Sequence, residues 1–179
     1  GGCQTSENGL KKKGDIQMAK IGVFFSAGYE EIEALTVVDL CRRAGIEVTM
    51  VSVDETAAVT GSHQITVQMD QLLSETDFDA FDLLVLPGGM PGTLHLEGFY
   101  SAGKWVAAIC AAPQIFGHRG YLKGRKATSF PSMEKELDGA FVTHGAAEVD
   151  GNVITGRGMG CAIDFALKII GCLISEEEA

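Results

Sequence analysis

A continuous apolar run in the middle of the chain restricts the fold more than any other feature. In FDLLVLPGG (81–89), four consecutive aliphatic residues leave neither side of a strand polar. A strand that is apolar on both faces is typical of the centre of a parallel sheet that helices cover on each side. The sequence therefore predicts an α/β protein with this strand in the middle of the sheet.

Shorter apolar runs alternate with helical patterns along the chain. IGVFF (21–25) and EVTMVSV (47–53) flank EEIEALTVVDLCRRAG (30–45), in which apolar residues recur at helical spacing before a glycine. This order predicts parallel strands joined by crossover helices. With 179 residues and 46% hydrophobic content, we expect a single domain with a doubly wound, mostly parallel sheet in a three-layer sandwich.

The remaining elements are predicted from shorter patterns. A turn at Thr60-Gly61 followed by ITVQM (65–69) indicates a small excursion from the main sheet. Further strands are expected at KWVAAI (104–109), KATSF (126–130), FVTH (141–144) and NVITG (152–156), before a closing helix over 161–173. The connection 90–106 is short, so either its helix is trimmed or residues are absent from the chain.

Composition argues against several classes of partner. The formal net charge is −10, and both nucleic acid and an anionic membrane would repel such a chain. No apolar stretch reaches the roughly 20 residues that cross a bilayer. The five cysteines are widely spaced and include no CxxC pair, which fits neither a disulfide framework nor a zinc site. We expect a reduced, cytoplasmic protein that binds no metal, nucleic acid or membrane.

The first 17 residues differ in character from the rest. GGCQTSENGLKKKGDIQ is polar and aperiodic, whereas MAKIGVFF at Met18 resembles a natural beginning. We expect a disordered or expression-derived tail over 1–17 and a domain over 18–179. The Gly-Cys pair near the start leaves a lipoprotein remnant as the alternative, although no signal segment supports it.

Cys110 lies where a predicted strand changes into a helix. In WVAAICAAPQIFGH (105–118), the apolar strand reaches the cysteine and a helical pattern follows at once. Backbone N–H groups and the helix dipole favour a negative charge at such a point, so Cys110 is a candidate nucleophile with a lowered pKa. The competing interpretation is a buried cysteine that packs as a small hydrophobic side chain.

Glycines and an acidic cluster follow other strands that would end at the same edge. Gly88 and Gly89 follow the central strand. The backbone amides of Gly89 and Ala111 are candidate donors to the oxyanion that forms when a thiolate attacks a carbonyl.

Glu30, Glu31 and Glu33 follow the first strand. The negative charge of Glu33 would raise the pKa of the thiol, so we expect it to assist Cys110 only when it is protonated and donates a hydrogen bond to sulfur. Solvated carboxylates at a helix N-terminus are the alternative for all three glutamates.

Taken in order, five motifs resemble the ThiJ/PfpI superfamily, and within it the branch that contains human parkinsonism-associated deglycase and the bacterial ThiJ-like chaperone. They are GYEEIEAL, VVDLCRRAGIEV, FDLLVLPGGMPG, VAAICAAP and VITGRGMGCAIDFALKII. The resemblance covers about 18–173 and implies a flavodoxin-like fold, usually a homodimer, without a cofactor. It also implies that Cys110 occupies the strand-to-helix elbow, that Glu33 is its hydrogen-bonding partner, and that Gly89 and Ala111 donate to the oxyanion.

Three positions depart from the pattern of that superfamily. Phe130 in KATSFPSM stands where the deglycase branch has a histidine near the cysteine. Ala111 stands where the protease branch has a histidine, so peptidase activity is not expected. His63 in GSHQITV stands where an arginine is often found near the pocket mouth, which puts recognition of an acidic substrate group in doubt. Gly88, Phe130 and His63 remain candidate residues of the substrate pocket.

Two functions follow from these residues and this resemblance. The first is a cofactor-independent glyoxalase III or deglycase-type hydrolase or lyase, in which Cys110 attacks small reactive carbonyls or glycated groups and Glu33 moves a proton. The alternative is a redox-responsive stress protein or chaperone whose Cys110 is oxidised without substantial turnover. A thiamine-precursor role is not expected, because the sequence has no P-loop and no Rossmann fingerprint.

Overall fold

The structure is a computed structural model that describes residues 18–88 and 96–174. Its strands are β1 (Lys20–Phe25), β2 (Glu47–Ser52), β3 (Ala58–Thr60), β4 (Thr66–Gln68), β5 (Gln71–Leu72), β6 (Leu83–Leu86), β7 (Trp105–Ile109), β8 (Lys126–Ala127), β9 (Phe141–Val142), β10 (Ala147–Asp150) and β11 (Val153–Gly156). Its helices are α1 (Glu31–Arg43), α2 (Leu96–Ser101), α3 (Pro113–His118) and α4 (Ala162–Leu173). The expected tail over 1–17 lies outside the described residues.

Seven strands form the main sheet, in the order β10-β11-β7-β6-β1-β2-β5. Neighbouring strands are parallel except for the hairpin of β10 and β11. All four residues of β6 are buried in the middle of this sheet, as the apolar run predicts. The doubly wound, mostly parallel α/β fold is therefore confirmed.

Alternation along β6 explains why its sequence has no polar side. Leu83 and Val85 belong to the core that α1 and α4 cover, whereas Leu84 and Leu86 belong to the core that α2 and α3 cover. Successive side chains of a strand point to opposite faces, so a strand between two helical layers is apolar throughout. The result is the expected three-layer sandwich. Within the described residues, no helix is both long enough and apolar enough to span a membrane.

Two small sheets lie outside the main sheet. The predicted excursion is confirmed as the antiparallel pair of β3 and β4. The predicted strand at 126–130 is shorter than expected, because only β8 forms ladder pairs, and it pairs in parallel with β9. Beyond β8, the Thr128 N–H donates to the Thr155 hydroxyl, and the Phe130 N–H donates to the Cys110 carbonyl. These bonds hold residues 128–130 at the carboxyl edge of the main sheet.

The sequence analysis missed the two outermost strands of the main sheet, β5 and β10. β5 has only two residues, and β10 has the sequence AEVD, which is neither long nor strongly apolar. In the short connection before β7, α2 has six residues. Residues 89–95 of that connection are outside the described part.

Candidate functional site

The site lies at the carboxyl edge of the three central strands. β7, β6 and β1 are adjacent and parallel, so the residues that follow them meet at one edge. Cys110 directly follows β7, Gly88 lies two residues after β6, and α1 begins a few residues after β1. Such edges of open α/β sheets are where ligands bind.

Cys110 has an unusual backbone conformation. Its φ is +64°, in the left-handed region that residues other than glycine seldom adopt. Two backbone hydrogen bonds hold it there: its N–H donates to the Gly156 carbonyl at 3.0 Å, and its carbonyl accepts from the Phe130 N–H at 2.7 Å. Strain of this kind costs on the order of 1–3 kcal/mol and is typical of functional positions. The strand therefore ends in a sharp turn at this cysteine.

Glu33 lies beside Cys110 and is 2% exposed. The thiol of Cys110 donates a hydrogen bond to the Glu33 carboxylate, and the Gly88 N–H donates to Glu33 Oε2 at 3.1 Å. A Cβ at position 88 would lie 2.8 Å from that Oε2 and 3.4 Å from the Cys110 Cβ. Glycine at 88 therefore allows the backbone to approach the carboxylate and the cysteine together.

The environment raises the pKa of both side chains. Burial raises the pKa of Glu33, and the charge of Glu30 adds to this effect, although hydrogen bonds from Cys110 and Gly88 oppose it. Burial also raises the pKa of Cys110, to about 12, and the charge and hydrogen bond of Glu33 contribute in the same direction. In this hydrogen bond the thiol is the donor and the Glu33 carboxylate is the acceptor, which is the reverse of the expected donation from a protonated Glu33 to sulfur.

A raised pKa at Cys110 differs from the lowered value that the sequence predicts. The backbone N–H of Ala111 does lower the thiol pKa, but burial and Glu33 outweigh it. The helix is also farther away than expected, because α3 begins at Pro113 with Ala112 as its N-cap. Ala111, predicted as an oxyanion donor, lies with its N–H at the sulfur. The other predicted donor, Gly89, is outside the described residues.

Glu31 has a structural role that the sequence analysis did not identify. It is 5% exposed, and its carboxylate accepts hydrogen bonds from the N–H groups of His63 and Ile65 and from the Ser62 hydroxyl. A Cβ on Gly61 would collide with this carboxylate. Glu31 thus holds the turn between β3 and β4 against the start of α1. The interpretation of three solvated glutamates is wrong for Glu31 and Glu33, which are both buried.

The Glu31 carboxylate predicts a pH dependence of stability. Burial raises its pKa, but hydrogen bonds from its own N–H, from His63 and from Ile65 lower it to about 2, against an ordinary 4.5. The unfolded chain therefore takes up a proton first as the pH falls, so the stabilisation is complete above about 4.5 and is lost towards 2. In urea unfolding, the midpoint urea concentration of wild type should exceed that of Glu31→Gln above pH 5. The two midpoints should converge near pH 2.

Asp39→Asn is the matched control for this measurement, because Asp39 is an exposed carboxylate that pairs with Arg43 at 2.6 Å. Exposed pairs of this kind contribute little to stability. A midpoint difference between wild type and Glu31→Gln that stays constant from pH 6 to pH 2 would contradict the assignment.

His63 is exposed at the outer side of this turn. Its Nδ1 lies 3.2 Å from Glu31 Oε2 and 4.0 Å from Glu30 Oε2. Within the part of the chain that the structure describes, these three residues are the one group of potential metal ligands whose atoms lie within 4.8 Å of one another. Both oxygens of Glu31 already accept hydrogen bonds from the turn, so the group has an evident role in holding β3 and β4.

Phe130 lies next to Cys110 through the backbone, as the sequence predicts for a pocket residue. Its side chain is 47% exposed. A Cβ on Gly158 would lie 3.7 Å from the Phe130 Cδ2, so the ring packs against Gly158, two residues after the end of β11. The structure therefore brings Cys110, Glu33, Gly88 and Phe130 to one edge, with His63 on the neighbouring turn.

This fold and edge define a class of flavodoxin-like α/β proteins with a cysteine and a buried glutamate where central parallel strands end. The model of the DJ-1/PfpI family matches residues 19–171. The chain therefore belongs to the DJ-1/PfpI family, which confirms the resemblance inferred from its five motifs.

Individual relatives agree with this assignment. The chain is 37% identical over 168 residues to Protein dj-1beta of Drosophila melanogaster, covering 87% of this chain and 90% of the relative. It is 35% identical over 152 residues to Deglycase TK1284 of Thermococcus kodakarensis, and this match covers 79% of this chain and 91% of the relative. Some relatives are longer than this chain. Protein DJ-1 homolog B of Arabidopsis thaliana is 36% identical, and the match covers 89% of this chain but only 39% of that relative.

A solved structure shows the same fold. The oxidized DJ-1 of Toxoplasma gondii superposes with a TM-score of 0.83 at 33% identity, covering 89% of this chain and 93% of that one.

Proposed function

We propose that the chain is a cofactor-independent, cysteine-dependent enzyme that acts on small reactive carbonyls such as methylglyoxal, or on groups glycated by them. The observation that carries this proposal is the hydrogen bond between the Cys110 thiol and the buried Glu33 carboxylate. A carboxylate in contact with a thiol can take the thiol proton while the sulfur forms its bond to the substrate carbon. Relatives named as deglycases support the same conclusion.

In the first step of the proposed reaction, the Cys110 sulfur bonds to the aldehyde carbon while the thiol proton passes to Glu33. That proton then moves to the aldehyde oxygen, which gives a neutral hemithioacetal. The Ala111 N–H, which lies at the sulfur, would donate to the oxygen as it gains charge. Glu33 is neutral at this point, so the developing negative charge is not repelled.

In the second step, Glu33 removes the proton from the former aldehyde carbon and returns it to the neighbouring carbon. The hydroxyl proton of the hemithioacetal passes to the ketone oxygen, so the ketone is reduced to an alcohol while the carbon on sulfur becomes a thioester carbonyl. Water then cleaves the thioester, lactate leaves, and the sulfur regains its proton. The oxidation and the reduction are internal to the substrate, so no external oxidant or reductant is needed.

The test is lactate formation from methylglyoxal without glutathione. We expect many molecules of lactate per chain, with methylglyoxal loss and lactate gain in equal amounts. Methylglyoxal loss that stops near one equivalent, or that yields no lactate, would contradict an enzymatic role.

A redox-responsive stress protein or chaperone is the second candidate function. It is favoured by the similarity to a DJ-1 that was solved in an oxidized state. The thiolate is the form that peroxide oxidises, and a pKa of about 12 leaves little of it at neutral pH. This environment favours catalysis with an adjacent base over rapid oxidation, and we place sensing second.

We also propose that the chain forms a homodimer, since members of the DJ-1 family are commonly dimers. The cytoplasm is the proposed location. A groove of about 560 Å³ lies along α1, with apolar walls from Leu35, Val38, Met50 and Val67. Arg42 and Arg43 also line this groove and have partners within the chain: Arg42 donates to Val48 and Asp70, and Arg43 donates to Asp39.

A further inference from the structure

The charged groups that act on the Cys110 sulfur are carboxylates. Glu33 and Glu30 both reach the cysteine beside Gly88: a Cβ at position 88 would lie 2.8 Å from Glu33 Oε2, 3.4 Å from the Cys110 Cβ and 3.6 Å from the Glu30 Cγ. An anionic substrate would bring a third negative group into a half-buried site, where screening by water is weak. The electrostatics of the site therefore oppose oxo acids and phosphorylated carbonyls.

Basic side chains in the loops at this edge have partners already. The His63 ring lies 3.2 Å from the Glu31 carboxylate. Arg157, which follows β11, donates through Nη1 to the His144 carbonyl at 2.5 Å. The imidazole of His144 in turn lies 2.6 Å from Glu134 Oε1. An incoming anion would have to displace one of these contacts.

Two apolar side chains, in contrast, are exposed on the segments that follow β8 and β11. Phe130 is 47% exposed and Met159 is 55% exposed. The Phe130 ring rests over Gly158, the residue before Met159. We call Phe130 and Met159 the apolar rim. Because the Phe130 backbone bonds to that of Cys110, this exposed aromatic ring and thioether provide a surface for an apolar or aromatic group at the same edge of the sheet.

Phe130 is also held firmly in place. Its N–H donates to the Cys110 carbonyl at 2.7 Å, and its own carbonyl accepts from the Met133 N–H at 2.8 Å. Pro131, which opens the short 3₁₀ helix Pro131–Glu136, restricts the backbone directly after it. The backbone position of Phe130 is thus tied to that of Cys110, and a fixed position is the condition for a residue that selects substrates.

We propose that the Cys110 site selects uncharged carbonyl compounds with an apolar or aromatic substituent, which packs against Phe130, and that it discriminates against anionic ones. This inference rests on the proposed function, whose substrate class it narrows. Phenylglyoxal is the model of the favoured class, and 4-carboxyphenylglyoxal, the same ketoaldehyde with an anionic substituent, is the model of the disfavoured class.

The first test compares kcat/KM for phenylglyoxal, methylglyoxal and 4-carboxyphenylglyoxal. We expect phenylglyoxal to exceed methylglyoxal by about tenfold, and to exceed its anionic analogue by at least about tenfold. Phe130→Ala should lose most of the preference for phenylglyoxal over methylglyoxal. Phe141→Ala removes a ring on β9 that is 66% exposed and should keep the preference. An unchanged preference in Phe130→Ala overturns the proposal, as does equal turnover of phenylglyoxal and 4-carboxyphenylglyoxal.

The second test does not require turnover and so separates this inference from the proposed function. Cys110 is alkylated at pH 8 with iodoacetamide or iodoacetate, and with N-phenylmaleimide or N-methylmaleimide, and each rate is divided by that of free cysteine. We expect iodoacetate to be disfavoured by at least about tenfold, and N-phenylmaleimide to be favoured in wild type but not in Phe130→Ala. These relative alkylation rates, found without any turnover of carbonyl substrates, would overturn the enzymatic role and leave the selectivity standing. Equal ratios for all four reagents would overturn the selectivity.

Discussion

Cys110→Ser should abolish methylglyoxal turnover, with a loss of at least about 1000-fold. The serine hydroxyl is far less acidic than a thiol, so the Glu33 carboxylate cannot activate it as a nucleophile. The smaller oxygen fits the same space, and the backbone bonds to Gly156 and Phe130 do not depend on the side chain. Lactate production at matched protein concentration is the measurement, with thermal unfolding as the check on folding.

Cys161→Ser is the matched control for that variant. Cys161 is a free, half-exposed thiol directly before α4. We expect Cys161→Ser to retain more than half of the wild-type rate. Turnover above about a tenth of wild type in Cys110→Ser, or an equal loss in both variants, would show that the chemistry does not proceed through Cys110.

Glu33→Gln should lower turnover by about 100-fold to 10,000-fold, which is the range for removal of a general base. The amide oxygen can still accept the Gly88 N–H, so the position of the side chain is preserved while its basicity is lost. Turnover and thermal unfolding are measured together, because a loss of fold would also lower the rate.

Glu30→Gln is the control for the Glu33 variant. Glu30 acts on the thiol only through its charge, as the smallest contributor to the raised pKa of Cys110. Its substitution should change the rate by less than about threefold. Glu33→Gln activity within threefold of wild type would rule out Glu33 as the base.

Much of the architecture could be predicted from the sequence, because its determinants are local. The apolar run in β6 places that strand between two helical layers, and the 3.6-residue periodicity defines α1. Parallel strands bring their carboxyl ends together, so the residues after β7 and β6 could be assigned to one edge before any distances were known. The proximity of Cys110 and Gly88 follows from this rule.

Features that depend on contacts between distant residues could not be predicted. Glu31 binds the N–H of His63, 32 positions away, and nothing in the local sequence separates it from an exposed carboxylate. The raised pKa of Cys110 depends on burial and on a carboxylate that arrives from α1. β8 ends early because the segment after it bonds to Thr155 and Cys110.

The central claim is that Glu33 is a carboxylate base against a protonated Cys110 thiol. The most direct test is the pH dependence of the iodoacetamide reaction at Cys110, followed by peptide mass spectrometry, in wild type and Glu33→Gln. Wild type should react slowly up to pH 9, since burial and Glu33 raise the pKa of Cys110 to about 12. Glu33→Gln should react at least about tenfold faster at pH 8.5, because removal of the charge lowers the thiol pKa. A wild-type thiol that titrates below pH 7, or a profile that Glu33→Gln leaves unchanged, would contradict the account.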